Sequence, residues 1–355
     1  MVMLAEHYDF VIGGDPDRDT IDLAVLDAVT GAVLGQISDQ ADGAGYQRLL
    51  SWAARAADGR RVWALEGTGS FAAGLVAVLA EAGEDVVEIQ NKKRSRGAKS
   101  DRIDATNAAR TALAQTHQAT PRERGLREAI RQVLAARQGV LVSRTKAINE
   151  LKSLIVVAPE HLRADLRGLG LARQLDRIDR LSSASAATIE YRVTLRTLRS
   201  IAARVRFLTN QATELDIELL ALVPQHPAGP MLLGEAGVGP VVAAQLLVSW
   251  SHRGRVRNEA AFASLAGAAP LEASSGQRTR HRLSRMGDRN LNRALHTVAI
   301  TRLRCHEQSR NYEKKRTSEG KTHRDVRRNL KRILARRFYR LMQAATATEE
   351  LARAA

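Results

Sequence analysis

The sequence predicts an α/β domain with a mixed sheet, then an α-helical coiled-coil region, then a mostly α-helical C-terminal domain. Three observations carry this prediction. Short β-branched runs alternate with helical spacing over the first hundred residues, a heptad series occupies residues 198–222, and the charge is strongly polarised along the chain. Residues 1–90 hold 15 acidic and 5 basic side chains, whereas residues 278–340 hold 21 Lys and Arg against 5 Asp and Glu.

The elements follow in order. Tyr8–Gly13 is an apolar strand running into Gly14 and Asp15. Thr20–Thr30 and Val33–Ser38 alternate on either side of a Gly31-Ala32 turn and read as a hairpin. Tyr46–Ala57 has helical spacing, Arg61–Leu65 is a short buried strand ending at Glu66, Ser70–Ala82 is a helix and Asp85–Gln90 a further strand. Three strands in meander followed by helix, strand, helix and strand is the order of a ribonuclease H sheet. Asn91–Ser100 is a basic loop, and Asp101–Ala114 is a helix whose acidic start suits the helix dipole. Trp63 and Phe71 are expected to pack this first domain.

Thr120-Pro121 marks a boundary. Arg124–Val157 reads as one long basic helix, and a shorter helical region continues through Ala186. Leu198, Ile201, Val205, Leu208, Ala212, Leu215, Leu219 and Leu222 then recur at alternating spacings of three and four, which keeps one seam toward a partner. That seam either joins two protomers or folds against the 124–157 helix. His226–Pro230 breaks the helix. Gly237-Val238-Gly239-Pro240 leads into another, a turn whose amides suit a phosphate but which is common on other grounds. Glu259–Leu265 is a short helix, Ala269–Gly276 a loop, and Arg289–Arg304 and Arg324–Leu341 are basic helices. The expected domains are residues 1–118, 119–224 and 225–345.

The composition excludes several classes. The chain has 355 residues, 44% hydrophobic and 26% charged, too apolar for a disordered chain. A single cysteine, Cys305, excludes a disulfide framework and a multi-cysteine zinc site. No apolar run is long enough for a membrane span, and MVMLAEHYDF lacks the layout of a secretory signal. A soluble cytoplasmic protein is therefore expected. A net charge of +17 points to a polyanionic partner, most simply nucleic acid. With 4% aromatic residues, base stacking is not the main mode of binding.

Four carboxylates form the candidate centre. Asp15 and Glu66 end strands that neighbour each other in the expected sheet, and Asp101 and Asp104 lie three apart on one helix face. Such a set of hard oxygen donors suits Mg²⁺ or Mn²⁺, which can activate one oxygen of a phosphodiester exchange and stabilise another. Asp17 and Asp19 compete with Asp15 and otherwise read as turn residues. His281, His296 and His306 fit no zinc template and read as phosphate contacts or surface residues.

The motifs IGGDPDRDT, WALEGTGS and AKSDRIDA are similar, in order and spacing, to the three acidic motifs of insertion-sequence transposases with a DEDD-type RuvC-like domain, related to the Piv invertases. GVGPVVAAQLL, FASLAGAAPLEASSG and RHRLSRMGDRNLNRALH resemble that family's C-terminal motifs, so the resemblance covers about residues 8–340. It implies a recombinase of a bacterial insertion sequence, nucleoid-associated, with metal on Asp15, Glu66, Asp101 and Asp104. The family's nucleophilic serine falls on Ser275, with Ser274 adjacent. The resemblance also implies a structured noncoding bridge RNA as guide to donor and target DNA, and a dimer or tetramer whose protomers share active sites. Gly14 stands where the family usually has an aliphatic residue, which should loosen the strand end. Arg278, Arg280, Arg282 and Arg285 lie close to Ser275 in sequence and suit phosphate oxygens, as do Arg289 and Arg293 on the following helix. Two other readings stay open: a metal-dependent, structure-selective nuclease that needs the carboxylates without the serine, and a non-catalytic nucleic-acid scaffold.

Overall fold

The computed structural model describes residues 3–89, 101–116, 118–182, 188–272, 281–283 and 287–354. Contacts divide it into two compact units. The first comprises Met1–Glu123 with Ser251–Arg257, and the second Arg124–Trp250 with Asn258–Ala355.

The first unit is built on five strands, β1 (Phe10–Pro16), β2 (Thr20–Asp27), β3 (Val33–Gln40), β4 (Arg61–Leu65) and β5 (Asp85–Glu88), in the order β3-β2-β1-β4-β5. β1 pairs antiparallel with β2 and parallel with β4, and β4 pairs parallel with β5, so the sheet is mixed. Residue alternation sends side chains to two cores. Ile12, Leu23, Val25, Trp63 and Leu65 pack on one face under α1 (Gly43–Ala56) and α2 (Ala73–Glu81). Val11, Ala24, Leu26, Val62 and Ala64 pack on the other against Ala105, Ala108, Ala109 and Ala112 of α3 (Asp101–Leu113).

Local chemistry sets several boundaries. α1 begins earlier than its apolar spacing predicts because Asp42 caps it, accepting from the Gly45 amide at 2.8 Å. The β2–β3 turn is held by Asp27, whose Oδ1 accepts from the Val29 and Thr30 amides, with Gly31 at φ 70°. Trp63 is fully buried, and its indole donates to Glu84 at 2.8 Å. Phe71, expected in the core, is instead 53% exposed. The turn folded on the Gly67 carbonyl sends Ala72 and Leu75 inward in its place.

The second unit is helical. α4 (Leu126–Val157) packs along α7 (Ile189–Leu222), with α5 (Glu160–Leu166) and α6 (Leu171–Arg180) between them in sequence. Leu195, Leu198, Ile201, Ala202 and Val205 of α7 bury against Ala147, Leu151 and Ile155 of α4. The heptad seam is therefore covered within the chain, the second of the two arrangements open to it. A coiled coil between protomers gains no support from this packing. The remaining helices are α8 (Gly229–Leu233), α9 (Pro240–Trp250), α10 (Glu259–Leu265), α11 (Arg289–Cys305), α12 (Glu307–Ser318) and α13 (His323–Ala354). α9 packs on α4, α7 and α11, so the expected boundary at 224–225 falls inside one compact unit.

Two features depart from the sequence reading. Pro270–Glu272, read as loop, is strand β6, paired antiparallel with β7 (His281–Leu283). The proline is its first residue, where no ladder donor is needed. α12 has almost no apolar residues to announce it, yet it forms, with the His306 imidazole at 3.0 Å from the Ser309 hydroxyl. In the core of this unit Arg302 is buried, donates to Ala236 O at 2.7 Å and to Glu235 at 2.5 Å, and lies over the Phe338 ring. Burial pushes the Glu235 carboxyl up, but hydrogen bonds from Arg337 and Arg302 outweigh it and leave the group below its ordinary value.

Candidate functional site

Asp15 is the next-to-last residue of β1, and Glu66 follows the last residue of β4. The parallel register places Gly14 beside Leu65, so the two acids leave neighbouring strand ends together. By alternation Asp15 shares a face with Val11 and Gly13, and Glu66 with Val62 and Ala64. That is the face α3 covers. Both acids are half-buried.

Gly13 fixes how close the helix comes. A Cβ built there would stand 2.1 Å from the Ala105 carbonyl oxygen and 2.5 Å from the Ala109 nitrogen. Only glycine admits this approach of helix backbone to strand. Ala105 follows Asp104 directly, and Asp101 lies one turn earlier, so the backbone places both positions at the helix end nearest the strand termini. Asp104 is half-buried; the side chain of Asp101 lies outside the described residues. Gly14 does not loosen the strand. Its other face is occupied by Leu65 and Leu23, whose methyls would lie 2.5 and 2.9 Å from an added Cβ.

Asp17 and Asp19 are turn residues. The Asp17 amide donates to Thr20 O at 2.9 Å, and Asp19 pairs with Arg18 in solvent. A different acid joins the set. Asp22 of β2 is opposite Asp15 in the antiparallel register, on the same face, and is 7% exposed. Directly opposed side chains have Cβ atoms about 4.5–5.5 Å apart. Acids inside strands are unremarkable in a sequence, and only the register reveals this one.

A cationic flank also comes from outside the motifs. The loop after Glu66 turns at Gly67, with φ 59°, and the buried Thr68 hydroxyl has no hydrogen-bond partner among the described residues. One turn on, an Arg122 guanidinium nitrogen lies 3.9 Å from the Cβ position of Gly69. Arg255, from the 251–257 segment of the same unit, pairs with Glu88 at 2.9 Å and donates to the Thr120 carbonyl. Burial lowers the Arg255 guanidinium from its ordinary value, Glu88 opposes this, and Arg122 adds to it. One of these guanidiniums, Arg255, is thus paired with the Glu88 carboxylate, and the other, Arg122, lies beside the Glu66 loop. The His252 Nε2 and Thr120 Oγ1 atoms, 2.9 Å apart, tie the same segment down. None of these positions follows from spacing, because they converge from three distant stretches of chain.

The donor set is chemically suited to a hard divalent ion, since it consists of carboxylate oxygens alone. Among the described residues no three acids, histidines or cysteines already surround a common point.

The remaining candidates lie elsewhere. Ser274, Ser275, Arg278, Arg280 and Arg285 fall outside the described residues, and Arg282 sits in β7 with its side chain outside them. Arg289 opens α11 in solvent, after Asp288, which caps the helix by accepting from the Asn290 and Leu291 amides. Arg293 is exposed and contacts Gln138 of α4 at 3.3 Å. His306 is a structural partner of Ser309, and His296 is exposed. The side chain of His281 lies outside the described residues.

Comparison with known proteins finds two matching families. Residues 12–158 match the DEDD transposase family of IS110, described as a transposase, and residues 231–314 match the family described as the transposase IS116/IS110/IS902 family. Two stretches of the chain are thus similar to transposase domains of the IS110 family. The first match spans the strands and helix that bear Asp15, Glu66, Asp101 and Asp104, and the second spans α11 and most of α12. Over 125 residues the chain is 34% identical to the insertion element IS110 uncharacterized 43.6 kDa protein of Streptomyces coelicolor. That alignment takes in 35% of this chain and 31% of the relative, so it spans about a third of each. Both matched families are described as transposases, and neither match carries the relation to Piv invertases suggested by the motifs. Among the described residues no helix is long and apolar enough to cross a membrane.

Proposed function

We propose that this protein is an insertion-sequence transposase that cuts and rejoins DNA strands, with Asp15, Glu66, Asp101 and Asp104 holding divalent metal beside the scissile phosphodiester. One observation carries the reading. Two acids leave adjacent parallel strand ends on the face that α3 covers, and Gly13 lets the acid-bearing end of that helix approach the sheet backbone.

Bound Mg²⁺ or Mn²⁺ would supply Lewis-acid stabilisation of charge on the phosphate oxygens. The protein's own groups do the rest. The carboxylates fix where the ion can sit, Asp22 adds a further carboxyl group across the strand pair, and Arg122 offers a guanidinium to a neighbouring phosphate. Ser275 is the proposed nucleophile. Its oxygen bonds to phosphorus and gives its proton to solvent; the bond from phosphorus to one sugar oxygen breaks, and that oxygen takes a proton. The phosphoserine ester keeps the strand activated for rejoining without ATP. A structured noncoding RNA of the element is proposed as the guide that pairs with donor and target DNA. A dimer or tetramer would let the serine of one protomer serve the carboxylates of another. The basic residues Arg278, Arg280, Arg282, Arg285, Arg289 and Arg293 are assigned to nucleic-acid backbone, consistent with the charge polarity of the chain.

The test is incubation with guide RNA, Mg²⁺ and donor plus target DNA, followed by nuclease digestion and mass analysis. A nucleotide adduct on Ser275, absent in Ser275→Ala, is expected. Cleavage that survives Ser275→Ala and is lost in Asp101→Asn would instead identify a metal nuclease without a covalent step. Salt-sensitive binding with no strand breakage would identify a scaffold.

A further inference from the structure

Lys331 is a buried cation with no ion pair among the described residues. Its side chain lies on α13, 7% exposed, and its ammonium donates to Asn292 Oδ1 of α11 at 3.0 Å. Asn292 is itself fixed by donating to the Ala266 carbonyl at 2.6 Å. Burial first, then the neighbouring Arg328, push the Lys331 ammonium below its ordinary value, and no acid acts in the opposite direction. His296, one turn along α11 from Asn292, keeps an exposed edge but is also lowered, first by partial desolvation, then by Lys331 and Arg327. Arg327 donates to the His323 carbonyl, and Arg328 lies 3.7 Å from Asp325. Desolvated ammonium groups are costly, and like charges gathered around one raise the cost.

One member of the cluster also borders a space. Arg327 lines a cavity of about 430 Å³ together with Ile300, Leu303, Arg304, Glu313 and His323. Glu313 is engaged by His323 at 3.0 Å. The cavity therefore combines the apolar Ile300 and Leu303 of α11 with the cations Arg304 and Arg327.

We infer that Lys331, held by Asn292, together with Arg327 and Arg328 and flanked by His296, forms a binding site for a phosphodiester of a nucleic-acid strand, whose adjoining nucleoside lies over the Ile300–Leu303 cavity. The site rests on the reading of the chain as a nucleic-acid enzyme and adds to it a specific foothold in the second unit. Lysine there sacrifices stability of the free protein for an ion that arrives with the ligand.

The experiment uses the full chain in EDTA, where binding is read without cleavage. Fluorescence anisotropy is recorded with a 24-base-pair DNA duplex and, separately, with an RNA hairpin, over a series of salt concentrations. For Lys331→Met the expected result is about a tenfold loss of affinity in at least one arm, with the log–log salt slope reduced by about one. The arm that responds names the strand. The melting temperature should stay level or rise, because methionine fills the space without a buried charge. Arg327→Gln should give the same loss of slope, and Arg55→Ala, in the first unit, should not. Unchanged affinity and slope in both arms for Lys331→Met and Arg327→Gln would overturn the site, as would a lowered melting temperature with unchanged binding. A parallel assay in Mg²⁺ separates this outcome from the function itself: absent cleavage with the Lys331 effect intact rejects the transposase reading alone.

Discussion

Gly13→Ala is the sharpest perturbation of the carboxylate centre that leaves every carboxylate in place. The added methyl would begin 2.1 Å from Ala105 O, 2.5 Å from Ala109 N and 2.9 Å from Ala109 Cβ. Two of these are helix backbone atoms, so no rotamer change relieves the overlap. Contact requires α3 to retreat by about 1 Å, since non-bonded carbon and oxygen settle near 3.3 Å or more. Overpacking of this kind costs about 1–3 kcal/mol and sometimes more. The same retreat withdraws Asp104 and the Asp101 position from Asp15 and Glu66, and misplacement of about 1 Å can cost about 100-fold in rate. Urea unfolding followed by tryptophan fluorescence measures the first effect, and metal-dependent strand cleavage the second. Gly139→Ala is the control, because that glycine is exposed in α4 with nothing within 4 Å of its Cβ position. It should gain about 0.5–1 kcal/mol from helix propensity. If Gly13→Ala matches wild type within about 0.5 kcal/mol, a difference typical of neutral surface substitutions, and cleaves normally, the packing argument fails.

Other consequences can be measured directly. Asp22→Asn should lower cleavage about 10- to 100-fold, the usual scale for outer partners of a metal site, and raise the Mg²⁺ concentration required; an unchanged metal titration would remove Asp22 from the centre. Arg122→Ala should weaken DNA binding and reduce the salt slope by about one, while Arg122→Lys should restore the slope. Glu84 is pushed up by burial, but the hydrogen bonds from Arg61 and Trp63 prevail and hold it below the ordinary carboxyl value. Its contribution to stability is therefore present above about pH 4.3, the unfolded value, and is lost as pH falls through the lower folded one. Melting curves from pH 6 to 3 should fall less steeply for Glu84→Gln than for wild type, and parallel curves would refute the assignment.

The sheet was legible because its strands alternate cleanly and their turns carry glycine and aspartate. Asp15 and Glu66 stood out because each closes an apolar run. Asp22 was hidden, since its partnership with Asp15 is a property of register, which periodicity does not specify. Arg122 and Arg255 were hidden for another reason: they reach the Glu66 loop from segments that spacing cannot bring together. Lys331 is one basic residue among many in its helix, and only burial distinguishes it. The heptads were plain in the sequence, but a seam does not name its partner, and here α4 covers it.

The central claim is that the strand-end carboxylates and α3 act together on a phosphodiester through divalent metal. Its most direct test is strand cleavage by wild type, Asp15→Asn and Asp104→Asn on DNA carrying the element's ends, with guide RNA, in Mg²⁺ and in EDTA. The account predicts cleavage by wild type in Mg²⁺ alone, and a loss of about 100-fold or more in each variant, the several kcal/mol that metal supplies. Cleavage that persists in EDTA, or that both variants retain, would contradict it.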